Sequence, residues 1–286
     1  MRILLIYFTG TGNTLRVVNT IKDNLKEHEV DVADVTKEFK DINGYDSLII
    51  SYPIFAFNAP KPIVDYVKKL SNLDKIIPCL IMKQSGEYLF WNNASSLKII
   101  SILKRKNIKV TNEYHYLMPY SFIFRHSDYM AYKMDQTMTK LVPLDLVDFL
   151  NHKEHHLKRF FLDRLFAFIL RIQWWGGRLN GKYYKVDTSK CIKCMKCVKE
   201  CPTQNIEYKD DKFVFSNKCL MCERCVMYCQ AHAIKAGLFD SWRVDIPYTF
   251  KEAPYQKEVK PNYCKKAYER YFKEAENRIS LAQKKN

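Results

Sequence analysis

Residues 2–14 read RILLIYFTGTGNT. Arg2–Phe8 is a nearly unbroken apolar run, as expected of a strand covered on both faces. Thr9–Asn13 interrupts it with two glycines. From Thr14 to Glu27 the residues Leu15, Val18, Ile21 and Leu25 recur at helical spacing. A glycine turn between a buried strand and a helix N-terminus is an anion site on physical grounds. The first helical N–H groups have no partner, and the helix dipole is positive there. Gly10 and Gly12 let the backbone approach an anion, and the hydroxyls of Thr9, Thr11 and Thr14 can donate to it. No lysine follows Gly12, which excludes a Walker A loop. The GxGxxG pattern is also absent, which disfavours a dinucleotide fold.

Reading outward, strand patterns recur at Val30–Asp34, Ser47–Ser51, Ile76–Met82 and Lys109–Met118, although Pro78 weakens the start of the fourth strand. Helical patterns lie between and after them at Lys61–Leu70, Ala94–Lys106 and Asp128–Asn151. Strands alternating with helices imply an α/β fold, a mostly parallel sheet wound on both faces. The chain has 286 residues, 47% hydrophobic and 27% charged, which is room for about two domains and excludes wholesale disorder.

The segment Ile6–Thr14 (IYFTGTGNT) resembles the flavodoxin signature, and the resemblance covers about residues 1–150. It implies a five-stranded flavodoxin-like sheet with FMN at the β1/β3 switch point. By resemblance, Thr9, Gly10, Thr11, Gly12, Asn13 and Thr14 would hold the phosphate. The loops after the third and fourth strands would flank the ring. One offers Tyr52, Pro53, Phe55, Phe57 and Asn58; the other offers Ser85, Gly86, Glu87, Tyr88 and Trp91. Flat apolar side chains suit an isoalloxazine. Phe55, Phe57 and Trp91 are equally suited to packing at a domain boundary. Glu87 and His126 are the titratable groups expected near that pocket, and no catalytic acid–base pair is evident.

Eight of the ten cysteines lie between Cys191 and Cys229. Cys191-x2-Cys194-x2-Cys197-x3-Cys201-Pro is followed, 28 residues on, by Cys219-x2-Cys222-x2-Cys225-x3-Cys229. A tight CxxCxxC turn gives three thiolates to one iron–sulfur cube, and the fourth cysteine goes to the other. One cluster is then expected on Cys191, Cys194, Cys197 and Cys229, the other on Cys219, Cys222, Cys225 and Cys201. Structural zinc sites or disulfides are the alternatives, although zinc motifs seldom overlap in this way. The block from about 181 to 238 resembles the bacterial two-[4Fe–4S] ferredoxins, with a small α+β fold implied. Gln230 stands where that family has its second proline. Cys79, on a strand, is expected as a core thiol, and Cys264 as a surface thiol.

Between the two regions, residues 151–180 are expected to form a helical connector. Leu157, Phe160, Phe161, Leu165, Phe168, Ile169 and Ile172 make one stripe on a helix over His152–Trp175, which Gly176-Gly177 should end. The expected role of the stripe is to dock one domain on the other. The alternative is a membrane surface, because Lys158, Arg159, Arg164 and Arg171 favour anionic lipid. His152, His155 and His156 would share a solvated helix face. A basic extension, 239–286, ends in a charged helix over Tyr263–Gln283.

The formal net charge is +16, with +6 in residues 151–190 and +5 in residues 235–286. A positive field steers acidic partners, here an acidic redox protein, and anionic surfaces. No nucleic-acid-binding motif accompanies it. No apolar run approaches the roughly 20 residues of a transmembrane helix, and Met1–Phe8 lacks the features of a signal peptide, so a cytoplasmic protein is expected. Together the resemblances imply an electron-transfer protein relaying electrons between FMN and two [4Fe–4S] clusters. The alternatives are an FMN/Fe–S reductase of a small acceptor such as a quinone, a redox-sensing interaction protein, and a ferredoxin carrying a flavin-free sheet domain.

Overall fold

A computed structural model describes residues 1–284. Five strands, β1 (Arg2–Tyr7), β2 (Glu29–Asp34), β3 (Ser47–Pro53), β4 (Ile77–Ser85) and β5 (Ile108–Leu117), form one sheet in the order β2-β1-β3-β4-β5. Every pairing is parallel. This is the flavodoxin-like doubly wound order. Side chains alternate across it as the pleat requires. Leu4, Ile6, Leu48, Ile50 and Ile81 face one buried layer, while Ile3, Leu5, Ile49, Leu80 and Met82 face the other. Helices α2 (Lys61–Lys69) and α3 (Leu97–Lys104) cover the first layer. Helices α1 (Asn13–Asn24) and α4 (Asp128–Leu150) cover the second.

Pro78 sits just before Cys79, the first β4 residue paired with β3, so it removes no bond from that ladder. A register shift between β4 and β5, from Cys79–Val110 to Leu80–Asn112, swaps the faces of the following β5 residues. Cys79 is wholly buried, and burial raises its thiol well above the usual range.

The connector departs from the expected single helix. Residues 152–160 run beside β5, where Asn112 bridges His155. The His155 amide donates to the Thr111 carbonyl at 3.0 Å, and the Glu113 amide donates to the His155 carbonyl at 2.9 Å. The three histidines therefore share no helix face. Helix α5 begins only at Phe161 (Phe161–Ile169), where the Asp163 carboxylate accepts from the Phe160 amide at 2.8 Å. A single 3-10 turn, Leu170–Ile172, leads into α6 (Gln173–Gly181), which continues through Gly176-Gly177 rather than stopping there. The stripe does not dock the domains. Most of its large side chains face outward, and the body-facing positions of α5 are Asp163 and Ala167. Arg159 instead anchors the connector by pairing with Glu113, which sits buried beside Lys83. Burial lowers the Lys83 amine to about 7.

The cysteine region is built from two short antiparallel ladders, β6 (Lys185–Val186) with β9 (Ile234–Lys235) and β7 (Ile206–Lys209) with β8 (Lys212–Phe215). Two four-residue helices, α7 (Lys196–Lys199) and α8 (Arg224–Met227), complete it. The extension then folds back. Helix α9 (Lys265–Gln283) lays Tyr271, Phe272 and Ala275 into the layer under α4. Arg278 of α9 pairs with the buried Asp145 and with Asp148. Cys264 is half-buried at the N-terminus of α9 rather than free on its surface.

Candidate functional site

The 28-residue repeat is visible in the backbone of the cysteine region. Left-handed residues fall at equivalent places: Lys193 and Met221, Met195 and Glu223, Gln204 and His232. In each half two cysteines lie on the turn that enters the short helix, the third lies within the helix and the fourth follows it. Cys191, Cys194, Cys197 and Cys229 line one cavity. Cys201, Cys219, Cys222 and Cys225 line a second. The ten cysteines form no disulfide among the described residues. Nor does any group of three or more His, Cys, Asp or Glu among them converge on a single ion. A cube takes one thiolate at each of four corner irons, so a cavity lined by a nest of four cysteines fits such a cluster.

Backbone amides point at the sulfurs in both nests. Lys193 N–H reaches Cys191 Sγ at 3.4 Å and Met221 N–H reaches Cys219 Sγ at 3.3 Å. Asn205 N–H reaches Cys201 Sγ at 3.2 Å and Ala233 N–H reaches Cys229 Sγ at 3.3 Å. Such bonds stabilise sulfur charge and tune potential. Without metal the thiolate form is disfavoured. Burial pushes Cys197 up to about 11, Cys219 to about 12 and Cys222 to about 11.

The two nests have unlike surroundings. The first has Cys194 exposed, with Lys190, Lys193 and Lys199 exposed nearby. The second sits directly on the Thr9–Asn13 loop. Arg224 donates to the Thr9 carbonyl at 2.6 Å, the Gly10 carbonyl at 2.9 Å and the Glu200 carbonyl at 3.0 Å. The Tyr228 hydroxyl donates to the Thr11 carbonyl at 2.7 Å. A Cβ on Gly10 would lie 2.6 Å from the Cys222 carbonyl oxygen, and a Cβ on Gly181 would overlap Cys219. Glycine at both positions lets the loop and the end of α6 approach this nest. Arg224 and Tyr228 carried no signal in the sequence, because a spacer residue becomes a docking group only once a loop lies opposite it.

The loop itself keeps the features of an anion site. Gly12 is left-handed (φ 96°), and no side chain caps the first turn of α1. The uncapped amides at this N-terminus suit a phosphate. The side chains singled out from the sequence are engaged with protein. Thr9 Oγ1 accepts from the Gly12 amide at 3.0 Å, and Asn13 donates to the Pro119 carbonyl at 2.7 Å. Thr14 donates to Gln84 at 2.8 Å, and Thr11 meets Ser121. The phosphate half of FMN therefore fits through backbone amides rather than through these side chains.

The two flanking loops touch each other. Phe57 meets Trp91 edge-on at 5.6 Å, Trp91 stacks on Phe166 of α5 at 4.7 Å, and Phe55 packs edge-on against Phe8. These aromatics therefore pack largely at the connector. Tyr52 is wholly buried in the core and Pro53 ends β3. Asn58 donates to the Ala167 carbonyl at 2.8 Å. Ser85 bonds His115 Nε2 at 2.7 Å, and Gly86 lies against the Tyr120 ring. Burial raises the Glu87 carboxyl, which accepts from Tyr120 and Asn92. The returning chain covers this loop, with Tyr268 donating to the Gly86 carbonyl and Arg270 to the Tyr88 carbonyl, each at 2.5 Å. His126 accepts the Tyr120 amide at Nδ1 (3.2 Å) and meets the Tyr268 hydroxyl at 3.0 Å.

A further cavity of about 300 Å³ lies between α2, α6 and the second nest, lined by Phe55, Lys61, Trp174, Arg178, Lys218 and Cys219 among others. The Trp174 indole N–H is buried without a partner.

Residues 184–207 match the 4Fe-4S binding domain family. A comparison with curated proteins finds no match. Among solved structures, the chain is similar to oxidised Flavodoxin 1 from Bacillus cereus (14% identity, 53% of this chain and 99% of that one, TM-score 0.37). It is similar to a flavodoxin from the domain Archaea (11%, 53% and 100%, 0.35). It is also similar to the Fusobacterium nucleatum flavodoxin bound to flavin mononucleotide (18%, 42% and 70%, 0.32). By its sheet order this chain carries a flavodoxin-like α/β domain, followed by a cysteine-rich region in which residues 184–207 match the 4Fe-4S binding domain family.

Proposed function

We propose that the chain is an electron carrier. An FMN held by its phosphate at Thr9–Thr14 and two [4Fe–4S] clusters, one in each cysteine nest, form a single relay. The observation that carries this reading is the seating of the Cys219–Cys229 segment on the Thr9–Asn13 loop through Arg224 and Tyr228. Bound there, FMN exchanges one or two electrons, whereas each cluster passes one.

The chain's own residues arrange this contact. Arg224 and Tyr228 occupy the loop carbonyls, which leaves the α1 amides for an anion. Val226 is buried in the small core against which Cys219 and Cys225 pack, which keeps water from that side of the second nest. At the opposite end, exposed Cys194 among lysines suits an acidic redox partner.

The test is cofactor content after anaerobic purification, followed by stepwise reduction. The expected result is about eight irons and one FMN per chain, since each cube holds about four irons. About eight irons without flavin would sink the FMN half, and about four would sink the two-cluster relay.

A second reading is favoured by the cavity beside Cys219: reduction of a small anionic or quinone-like acceptor by the second nest. Beyond the Lys61–Asp65 pair, Arg178 and Lys218 supply positive charge there, and Phe55 and Trp174 supply flat apolar walls. Saturable turnover that Trp174→Ala weakens would support it. Strictly bimolecular kinetics with every small acceptor would sink it.

A further inference from the structure

We infer that α5 and α6 dock the protein on an anionic lipid surface. A surface helix ordinarily turns its apolar stripe to the core. Here the orientation is reversed. The positions of α5 that face the body are Asp163 (3% exposed) and Ala167 (1%). Phe161 (78%), Phe168 (66%), Ile172 (69%) and Trp175 (69%) face outward, joined by Leu165 and Ile169. Phe90 and Trp91 of the neighbouring loop extend the same patch through Phe160 and Phe166. Soluble monomers rarely leave such a continuous apolar face uncovered.

The charge pattern selects the occupant. Between residues 157 and 186 the only acidic residue is Asp163, which is buried and spent on the Phe160 amide. Lys158, Arg164 and Lys182 are exposed around the apolar face. The Arg171 guanidinium lies over the Phe168 ring at 5.6 Å and the Arg178 guanidinium over Trp175 at 5.3 Å, which sets two cations directly against the apolar face. Aromatic residues at the centre and cations at the rim match the boundary between acyl chains and anionic headgroups. A second copy of the same face would set these cations against each other with no acid to offset them. Among the described residues no helix is long and apolar enough to cross a membrane, so the segment lies in the surface plane.

The docked helix rests on the redox site. Gly177 of α6 packs on the backbone of Cys219 and Leu220, and Arg178 lines the neighbouring cavity. Lipid contact would therefore hold the second nest close to the membrane interface.

The test uses the full chain, purified anaerobically with its iron, and sedimentation with vesicles of phosphatidylcholine alone or mixed with phosphatidylglycerol. Binding to the mixed vesicles is expected, weakening as salt is raised. Phe168→Glu combined with Ile172→Glu should weaken it about tenfold or more, because charged groups replace the inserted apolar ones. Arg164→Glu should weaken it less and remove the preference for anionic lipid. Iron content and far-UV dichroism should match the parent chain in all variants, which separates lost binding from lost folding. Absence of pelleting with the mixed vesicles would overturn the inference. So would equal pelleting with both lipids, pelleting unchanged by the double substitution, or a dimer in solution that the double substitution dissolves.

Discussion

The sheet region and the cysteine region of this chain are stabilised by different means. The sheet has an extensive buried apolar layer on each face, including fully covered Leu4, Ile6, Ile50 and Ile81 on one and Ile3, Leu5, Ile49 and Leu80 on the other. The core cluster of the cysteine region is Tyr184, Val226, Ile234 and Ala236, with Ile206, Met227 and Ala233 also buried, and its ladders are two-stranded. A core that small is marginal by itself. We expect its fold to depend on what its cysteines hold and on the face it presses against the sheet region. The lesson is that one chain can pair a region with a deep apolar core of its own with a small module for which docking groups such as Arg224 carry a larger share of the stability.

The comparison can be broken most decisively by removing iron. Chelation of the purified protein should abolish amide protection across 184–236 while β1–β5 stay protected, as read by hydrogen exchange. Retained protection in the cysteine region would mean that its small core suffices. The converse change strikes the sheet. Ile50→Ala should cost about 2–5 kcal/mol in denaturant unfolding with iron content unchanged, because the side chain is fully buried in packed surroundings.

A smaller effect is expected where the two regions meet. Arg224→Ala removes the donor to the Thr9, Gly10 and Glu200 carbonyls. It should loosen docking by about 1.5–3 kcal/mol, seen as faster exchange at residues 9–12 and slower electron transfer between the regions. Arg224→Lys should restore little, since lysine lacks the planar fork.

Close to neutral pH the smallest effect is a pH dependence that arises at His126. Burial lowers His126 to about 3, and its Nδ1 accepts the Tyr120 amide, so the native state keeps the ring neutral. The unfolded chain takes up a proton near 6.5 and the folded one does not. Stability is therefore full above 6.5 and falls on acidification toward 3, at up to about 1.4 kcal/mol per pH unit. His126→Asn should flatten that slope in urea unfolding at several pH values. An unchanged slope would place the acid sensitivity elsewhere.

Some of this architecture is legible residue by residue. The run RILLIYF, the glycine turn and the helical spacing after it are local facts, and so the doubly wound sheet follows from the sequence. The 28-residue step between cysteines is equally local, and its eight thiols line two cavities of the structure. The connector is a different case. Its apolar period is real, yet period alone cannot say whether a stripe meets a partner or solvent. The helix expected at 152–160 yields to an extended segment because β5 offers unpaired edge groups to His155. The threonines of the Thr9–Thr14 loop read as free donors in the sequence, but Thr9 accepts from the Gly12 amide within the loop, and Thr11 and Thr14 find partners on distant Ser121 and Gln84.

By itself the sequence determined the elements with local causes: buried strands, the uncapped helix turn and two thiol-rich turns. Tertiary structure alone decided that Arg224 and Tyr228 close over the Thr9–Asn13 loop, that α9 returns to cover the sheet, and that the connector's aromatic face looks outward. The reason is physical. Hydrophobic period and turn chemistry act between near neighbours in the chain, whereas the direction a face points depends on which distant surface is left to cover it.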